Sequence, residues 1–181
     1  ETARIAVRAS ITGHLVLSTI HTNNSLNTIE RLLDMEVERY LLGSALTGII
    51  SQRLVKRLCP KCRTSRETTP YEKNLFKSVL HQDIKEVYTP HGCSECINGY
   101  RGRIALHEVL EINQEIRDAI TNNIRKSELR NLVYNKSDVT SLLKDGLEKV
   151  VAGLTSVDEI LRVIDVEDDL GDTDENIKNA F

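Results

Sequence analysis

The chain has 181 residues, enough to bury a real core, with a net charge of −3 and a pI near 6; it therefore offers nucleic acid or an anionic membrane no global attraction. No apolar run approaches the roughly 18 residues a membrane-spanning helix needs, and no signal-peptide pattern stands at the start, so a cytoplasmic protein is expected. With no Trp and 4% aromatic residues, the core must be built from Leu, Ile and Val.

The first residue is Glu1 rather than Met, and no linker precedes the first helical pattern, which suggests a piece of a longer protein. Ala3, Ile5, Ala6, Val7 and Ala9 predict a helix over Thr2–Ile11 with Gly13 as its C-terminal cap. Residues 15–20, Leu-Val-Leu-Ser-Thr-Ile, predict a strand buried on both faces of a parallel sheet. Thr22, Asn23, Asn24 and Ser25 form a polar turn with capping residues, and Leu26, Ile29, Leu32 and Leu33 continue at helical spacing. A longer helix is predicted over 40–58, from Leu42, Ala45, Leu46, Ile49, Ile50 and Leu54, its last turn holding Arg53, Lys56 and Arg57. The next stretch holds all three prolines and one helix candidate over 71–80. Residues 104–110 read as a strand. Asn113 and Ser127 are candidate N-caps, 139–151 predicts a helix ended by Gly153, and Ser156 with Glu159 forms a capping box opening 157–164. Beyond Ile164 the balance turns acidic, which predicts a solvated tail over 166–181. The segments divide as 1–58, an α/β core piece; 59–103, a small lobe; 104–165, a helical lobe; and 166–181, the tail.

Every cysteine falls in one of two C-x-x-C knuckles, Cys59/Cys62 and Cys93/Cys96, with 30 residues between them. Two intervening residues let both sulfurs of a pair face one ion, and the long loop brings the second pair across, a spacing that reads as a tetrathiolate zinc site. Four thiolates close the coordination sphere, so such a zinc is structural. Lys56, Arg57, Lys61, Arg63, Arg101 and Arg103 crowd the knuckles and would offset the thiolate charge. The competing readings are a redox pair at Cys59 and Cys62, two disulfides, or unrelated core cysteines. A non-catalytic zinc-ribbon module for nucleic acid or protein is the alternative function, although Tyr100 is the sole aromatic near the bases.

His21 would stand beyond the end of the predicted 15–20 strand, where ligands gather in open α/β sheets. His14 lies near the strand's entry, some 20 Å away if the chain between is extended. His107, His81 and His91 have ordinary surface or strand readings, with His91 a spare ligand only if a cysteine does not bind. No G-x-x-x-x-G-K-[ST] loop, G-x-G-x-x-G, H-E-x-x-H or G-x-S-x-G occurs in these 181 residues. Gly99-Tyr100-Arg101-Gly102-Arg103 fits a tight turn beside the knuckle better than a phosphate contact.

The stretch Thr12-Gly13-His14-Leu15-Val16-Leu17-Ser18-Thr19-Ile20-His21-Thr22-Asn23 resembles the histidine box of the secretion ATPase superfamily, the hexameric motors of type II secretion and type IV pilus assembly. Residues 31–35, 52–62, 92–103, 145–147 and 153–159 agree with that family in order and spacing, and Glu1-Thr2 resembles the end of its Walker B region. The resemblance implies the C-terminal part of a RecA-like P-loop ATPase core, followed by a zinc lobe held by Cys59, Cys62, Cys93 and Cys96 and a helical C-terminal lobe. The tetracysteine lobe resembles the assembly motors rather than the retraction motors. By the family's pattern His21 senses the γ-phosphate with Thr22 in support, and His14 belongs to the same box. The resemblance implies ATP and magnesium as the complete protein's cofactors. It further implies neighbouring subunits of a homohexamer and an inner-membrane platform protein as partners, with no nucleic acid, at the cytoplasmic face of the inner membrane. The family's phosphate loop, catalytic glutamate and arginine fingers precede the equivalent of Glu1, so this stretch alone is expected not to hydrolyse ATP. Glu36 departs from the family's usual glycine after the Asp-Met pair.

Overall fold

The computed structural model describes residues 1–136 and 139–166, so the acidic tail expected over 166–181 lies outside the described residues apart from Val166. Helices and strands mix along the chain, which divides into two compact units. Of the described residues, the first combines Glu1–Ser51 with those of Glu108–Thr140, and the second Gln52–His107 with those from Ser141 to Val166.

In the first unit α1 (Thr2–Ile11), α2 (Ser25–Asp34) and α3 (Arg39–Ala45) precede the start of strand β1 (Gly48–Leu58). Helix α1 ends as its sequence predicts. Gly13 takes φ +97, its N–H reaches Ser10 O, and His14 N–H reaches Ala9 O, the paired bonds of a Schellman cap. Helix α2 closes the same way on Glu36 at φ +61, with Glu36 N–H on Leu33 O and Val37 N–H on Leu32 O. The position usually glycine in the resembling family thus has the left-handed backbone that glycine suits. Asn24 opens α2, its side chain accepting Asn27 N–H. Leu26, Ile29, Val37, Leu42, Ile116 and Ile120 are buried together in this unit, each worth about 1.5–3 kcal/mol of transfer from water. Helix α5 (Gln114–Thr121) is capped by Asn113 as expected. Helix α6 (Lys126–Asn131) begins after Arg125 rather than at Ser127, and a π-helical turn, Leu132–Lys136, follows it.

The second unit holds β2 (Thr64–Glu67), α4 (Pro70–Leu80), β3 (Glu86–Thr89), most of β4 (Tyr100–Glu111), α7 (Leu142–Val151) and α8 (Val157–Val163). Strands β2 and β3 pair antiparallel, Thr64 opposite Thr89 and Glu67 opposite Glu86, while β1 hydrogen-bonds with β4. Thr69 opens α4 with a complete capping box, Pro70 standing in its first turn. Arg66 then grips the Glu72 carboxylate at 2.6 and 2.7 Å. Phe76, Leu75, Val55, Leu106, Leu147 and Ile160 form this unit's centre.

Two expectations are overturned. The predicted 15–20 strand is an irregular segment, with Leu15 and Leu17 each 87% exposed. A parallel strand exists only through its neighbours, and among the described residues no other segment pairs with it. The single helix expected over 40–58 is α3 followed by β1. Ile49 and Val55 are buried, Ser51 and Arg53 half-buried, and Ile50, Gln52, Leu54 and Lys56 exposed, which is the period of a strand. Ile50 and Leu54, counted into a helical stripe, face outward, and pairing with β4 decides the outcome. The bases Arg53, Lys56 and Arg57 consequently lie on a strand and not at a helix end.

Candidate metal centre and the histidine segment

At the end of β1, Leu58 N–H donates to Leu154 O and Cys59 N–H to Gly99 O. The chain then turns on itself, Cys62 and Arg63 both donating their N–H groups to Cys59 O at 3.3 and 3.0 Å. The β2–β3 pair carries it out and back to Pro90. There Cys93 and Cys96 make a second such turn, closed by Cys96 N–H on Cys93 O. All four Sγ atoms lie within 4.8 Å of one another, with Cys59–Cys93 at 3.9 Å and Cys62–Cys96 and Cys93–Cys96 both at 3.6 Å. An ion bonded to four sulfurs at about 2.3 Å in a tetrahedron requires sulfurs about 3.8 Å apart. The cluster fits that spacing, and the cysteines are free thiols.

Backbone N–H groups serve the sulfurs, Gly92 N–H reaching Cys62 Sγ at 3.4 Å and Cys93 N–H reaching Cys96 Sγ at 3.2 Å, an outer shell that orients thiolate ligands. Burial above all, reinforced by the neighbouring thiols, pushes Cys62 up to about 12 against the pull of Gly92 N–H. Burial also opposes ionisation of Cys96, but the Cys93 and Gly99 N–H groups and the adjacent thiols bring it down to about 7. Cys59 and Cys62 do not stand apart as an isolated C-P-x-C pair but share one cluster with Cys93 and Cys96. His91 turns its Nδ1 to Gly92 O and is not one of the clustered ligands.

Gly99 shows why the glycine-rich turn belongs to the knuckle. Its φ is +82, and a Cβ there would lie 2.4 Å from Pro90 Cβ and 2.9 Å from His91 N. The neighbouring bases have mostly found other partners. Lys61 and Arg101 pair with Glu95 of the second knuckle. Arg63 stacks on the Tyr88 ring at 4.3 Å and donates to Gly153 O, and Lys56 lies over Tyr100 at 5.4 Å. Carboxylate, carbonyl and aromatic acceptors thus engage four of these bases.

The 153–159 stretch forms the floor of this lobe, a role the sequence did not show. Gly153 O accepts from Arg63 and Leu154 O from Leu58 N–H. Thr155 Oγ1 donates to Lys56 O at 2.8 Å, and Ser156 Oγ meets the Tyr100 hydroxyl at 2.8 Å. Glu159 accepts Lys56 N–H at 2.9 Å and both Arg162 donors. The expected capping box is therefore half made: Ser156 caps Glu159 N–H, but the Glu159 carboxylate is spent on β1. Burial raises the cost of charging Glu159, yet the bonds from Arg162 and Lys56 N–H hold its pKa below the ordinary carboxylate value. Asp145 likewise accepts His107 N–H at 3.0 Å and pairs with Lys149.

In the histidine segment, His14 follows the α1 cap, its Nδ1 3.2 Å from Thr12 Oγ1 and from Ala9 O. His21 is exposed at the end of the irregular stretch. Thr22 is half-buried, its hydroxyl 2.6 Å from that of Thr28. Behind this turn lies a buried carboxylate that sequence reasoning passed over, Glu108. It accepts Ser25 N–H at 2.8 Å and the Tyr134 hydroxyl at 3.1 Å. The signal was there: Glu108 occupies an inward position of β4, in step with Leu106 and Leu110.

The family profile described as "Type II/IV secretion system protein" matches residues 1–162. Among curated proteins, the chain is 48% identical over 165 residues to a putative type II secretion system protein E of Escherichia coli (strain K12), covering 90% of this chain and 33% of that one. It is 39% identical over 163 residues to the type IV pilus assembly ATPase PilB of Thermus thermophilus, covering 89% and 18%. The chain thus spans about a third or less of the length of these relatives. Among solved structures, the pilus retraction motor PilT with bound ADP shares its fold, with a TM-score of 0.60 at 24% identity over 92% of this chain and 37% of that one.

Proposed function

The chain belongs to the type II/IV secretion system protein family, and from that premise we propose that it is the C-terminal portion of a hexameric motor ATPase that powers pilus or pseudopilus assembly. The observation that carries this reading is the conjunction of the 12–23 histidine segment with a four-thiol cluster of metal-binding dimensions. Relatives named as a type II secretion ATPase and a type IV pilus assembly ATPase support the activity. The roles divide as a nucleotide-sensing end over 1–58, a metal lobe over 59–103 and a helical relay over 104–165, a division by role rather than by packing.

Cys59, Cys62, Cys93 and Cys96 would hold one zinc, which supplies cross-linking and no reactive position. His21 reports the γ-phosphate to α2, with Thr22 beside it and His14 at the entry of the same segment. The phosphate loop on which ATP and magnesium sit is not among these 181 residues, so this stretch alone does not turn ATP over. Neighbouring subunits and a membrane platform protein receive the motion at the cytoplasmic face of the inner membrane. Among the described residues no helix is long and apolar enough to cross a membrane.

His21→Ala in the complete protein tests the assignment. Hydrolysis should fall on the order of 100-fold, the scale of losing one transition-state donor, while the hexamer persists. Unchanged turnover refutes the role of His21.

A further inference from the structure

Glu108 is fully buried in the first unit, and both its oxygens are engaged. A carboxylate withdrawn from water is costly unless hydrogen-bonded. One of its donors, Ser25 N–H, is the first amide of α2. That amide has no partner within the helix, and it lies at the end where the helix field favours negative charge. The other caps converge on the same turn. Asn24 Oδ1 accepts Asn27 N–H at 2.9 Å, Thr28 Oγ1 donates to Asn24 O at 3.1 Å, and the Thr22 and Thr28 hydroxyls meet at 2.6 Å. Thr22, Asn24, Ser25 and Thr28 therefore form one polar cluster, and Glu108 ties it to a strand 83 residues further along the chain. His21 stands immediately before that cluster.

We propose that Glu108 is a positioning residue for His21: by holding the N–H of Ser25 it fixes the origin of α2 and the turn that carries the histidine. Nucleotide turnover in the complete protein then depends on a carboxylate that acts on the turn and not on the nucleotide. This inference rests on the role given to His21 above.

The test uses the complete protein. Glu108→Ala should lower kcat for ATP hydrolysis on the order of 10- to 100-fold, the scale of a group displaced by about 1 Å. KM should change less than about threefold, because the loss falls on the transition state rather than on binding. Glu108→Gln keeps the shape and an oxygen for Ser25 N–H, and should restore kcat to within about threefold of the parent. Ser25→Pro removes the donor, and because its ring would also press on Glu108 Oε1, 2.8 Å from the nitrogen at this fully buried position, it is read together with the Glu108→Ala background, where that clash is absent. Proline is accepted at a first helical position, Asn24 before it is already extended at φ −150 and ψ −178, and the donor disappears. Ser25→Ala removes the hydroxyl alone. Ser25→Pro should match the loss of Glu108→Ala, Ser25→Ala should not, and the double variant Glu108→Ala/Ser25→Pro should be no worse than either single.

Hydrogen exchange across residues 20–30 reads the clamp without activity, and should be faster in Glu108→Ala and Ser25→Pro but not in Glu108→Gln. Folded Glu108→Ala and Ser25→Pro proteins with parental turnover and parental exchange overturn the proposal; if Glu108→Ala does not fold, Ser25→Pro decides. His21→Ala separates the two readings. If it abolishes turnover while the clamp variants keep it, only the present inference fails. If it leaves turnover intact, the role of His21 fails and with it this proposal, whatever the exchange shows.

Discussion

Replacing Glu36 by glycine should make the protein more stable. Glu36 closes α2 at φ +61, a conformation that costs an L-residue roughly 1–2 kcal/mol and glycine almost nothing. Two terms oppose the gain. Glycine loses more freedom on folding, about 0.4–1 kcal/mol, and the exposed Arg4–Glu36 pair disappears, at most a few tenths of a kcal/mol at 43% and 81% exposure. The bond from Arg4 Nε to Glu36 O at 2.8 Å goes to the backbone and survives. The net is a gain of about 0.5 kcal/mol. Glu36→Ala loses the same ion pair and keeps the steric cost, so it should be no more stable than the parent. Urea denaturation of the three proteins reads the order directly, glycine above glutamate above or level with alanine, with unchanged m-values. A glycine variant no more stable than the alanine variant would refute the steric argument.

The remaining predictions concern the lobe and its acids. A strong chelator should release about one zinc per chain and expose four titratable thiols, with faster proteolysis in the 52–107 region; four thiols reactive before chelation would count against a bound metal. Gly99→Ala should destabilise the knuckle by about 2 kcal/mol or more, since its Cβ would overlap Pro90 and φ is +82, and full metal retention at parental stability would contradict the close packing. Glu72 and Glu159 both have pKa values held below the ordinary 4.5, burial being outweighed by Arg66 with Thr69 N–H and by Arg162 with Lys56 N–H. The unfolded chain therefore binds more protons in that range. Their stabilisation is complete above about pH 4.5 and is lost as pH falls through the depressed folded values. Denaturation of the metal-free chain between pH 7 and pH 3 should steepen below 4.5, and the Glu72→Gln/Glu159→Gln variant should show a shallower slope there.

Much of the candidate site was legible because its signals are local. C-x-x-C spacing brings two sulfurs to one point whatever surrounds them, and Asn24, Asn113 and Ser156 cap helices through bonds to residues three positions on. Gly13 and Gly153 announced their caps because left-handed backbone favours that residue. Local signals also misled. Leu42, Leu46, Ile49, Ile50 and Leu54 satisfy a helical stripe on paper, and nothing in 40–58 reveals that a strand 50 residues away will claim its second half.

The sequence by itself determined the two cysteine knuckles, the positions of most helices and the composition of the core, since each depends on residue chemistry within a few positions. Only the tertiary structure decided that 48–58 is a strand, that the 153–159 stretch floors the metal lobe, and that Glu108 reaches back to the first amide of α2. The first rests on pairing with a strand 50 residues away and the other two on hydrogen bonds between groups 83 to 103 residues apart, and such a bond leaves no local trace: a backbone amide looks alike in every sequence until a partner arrives to satisfy it.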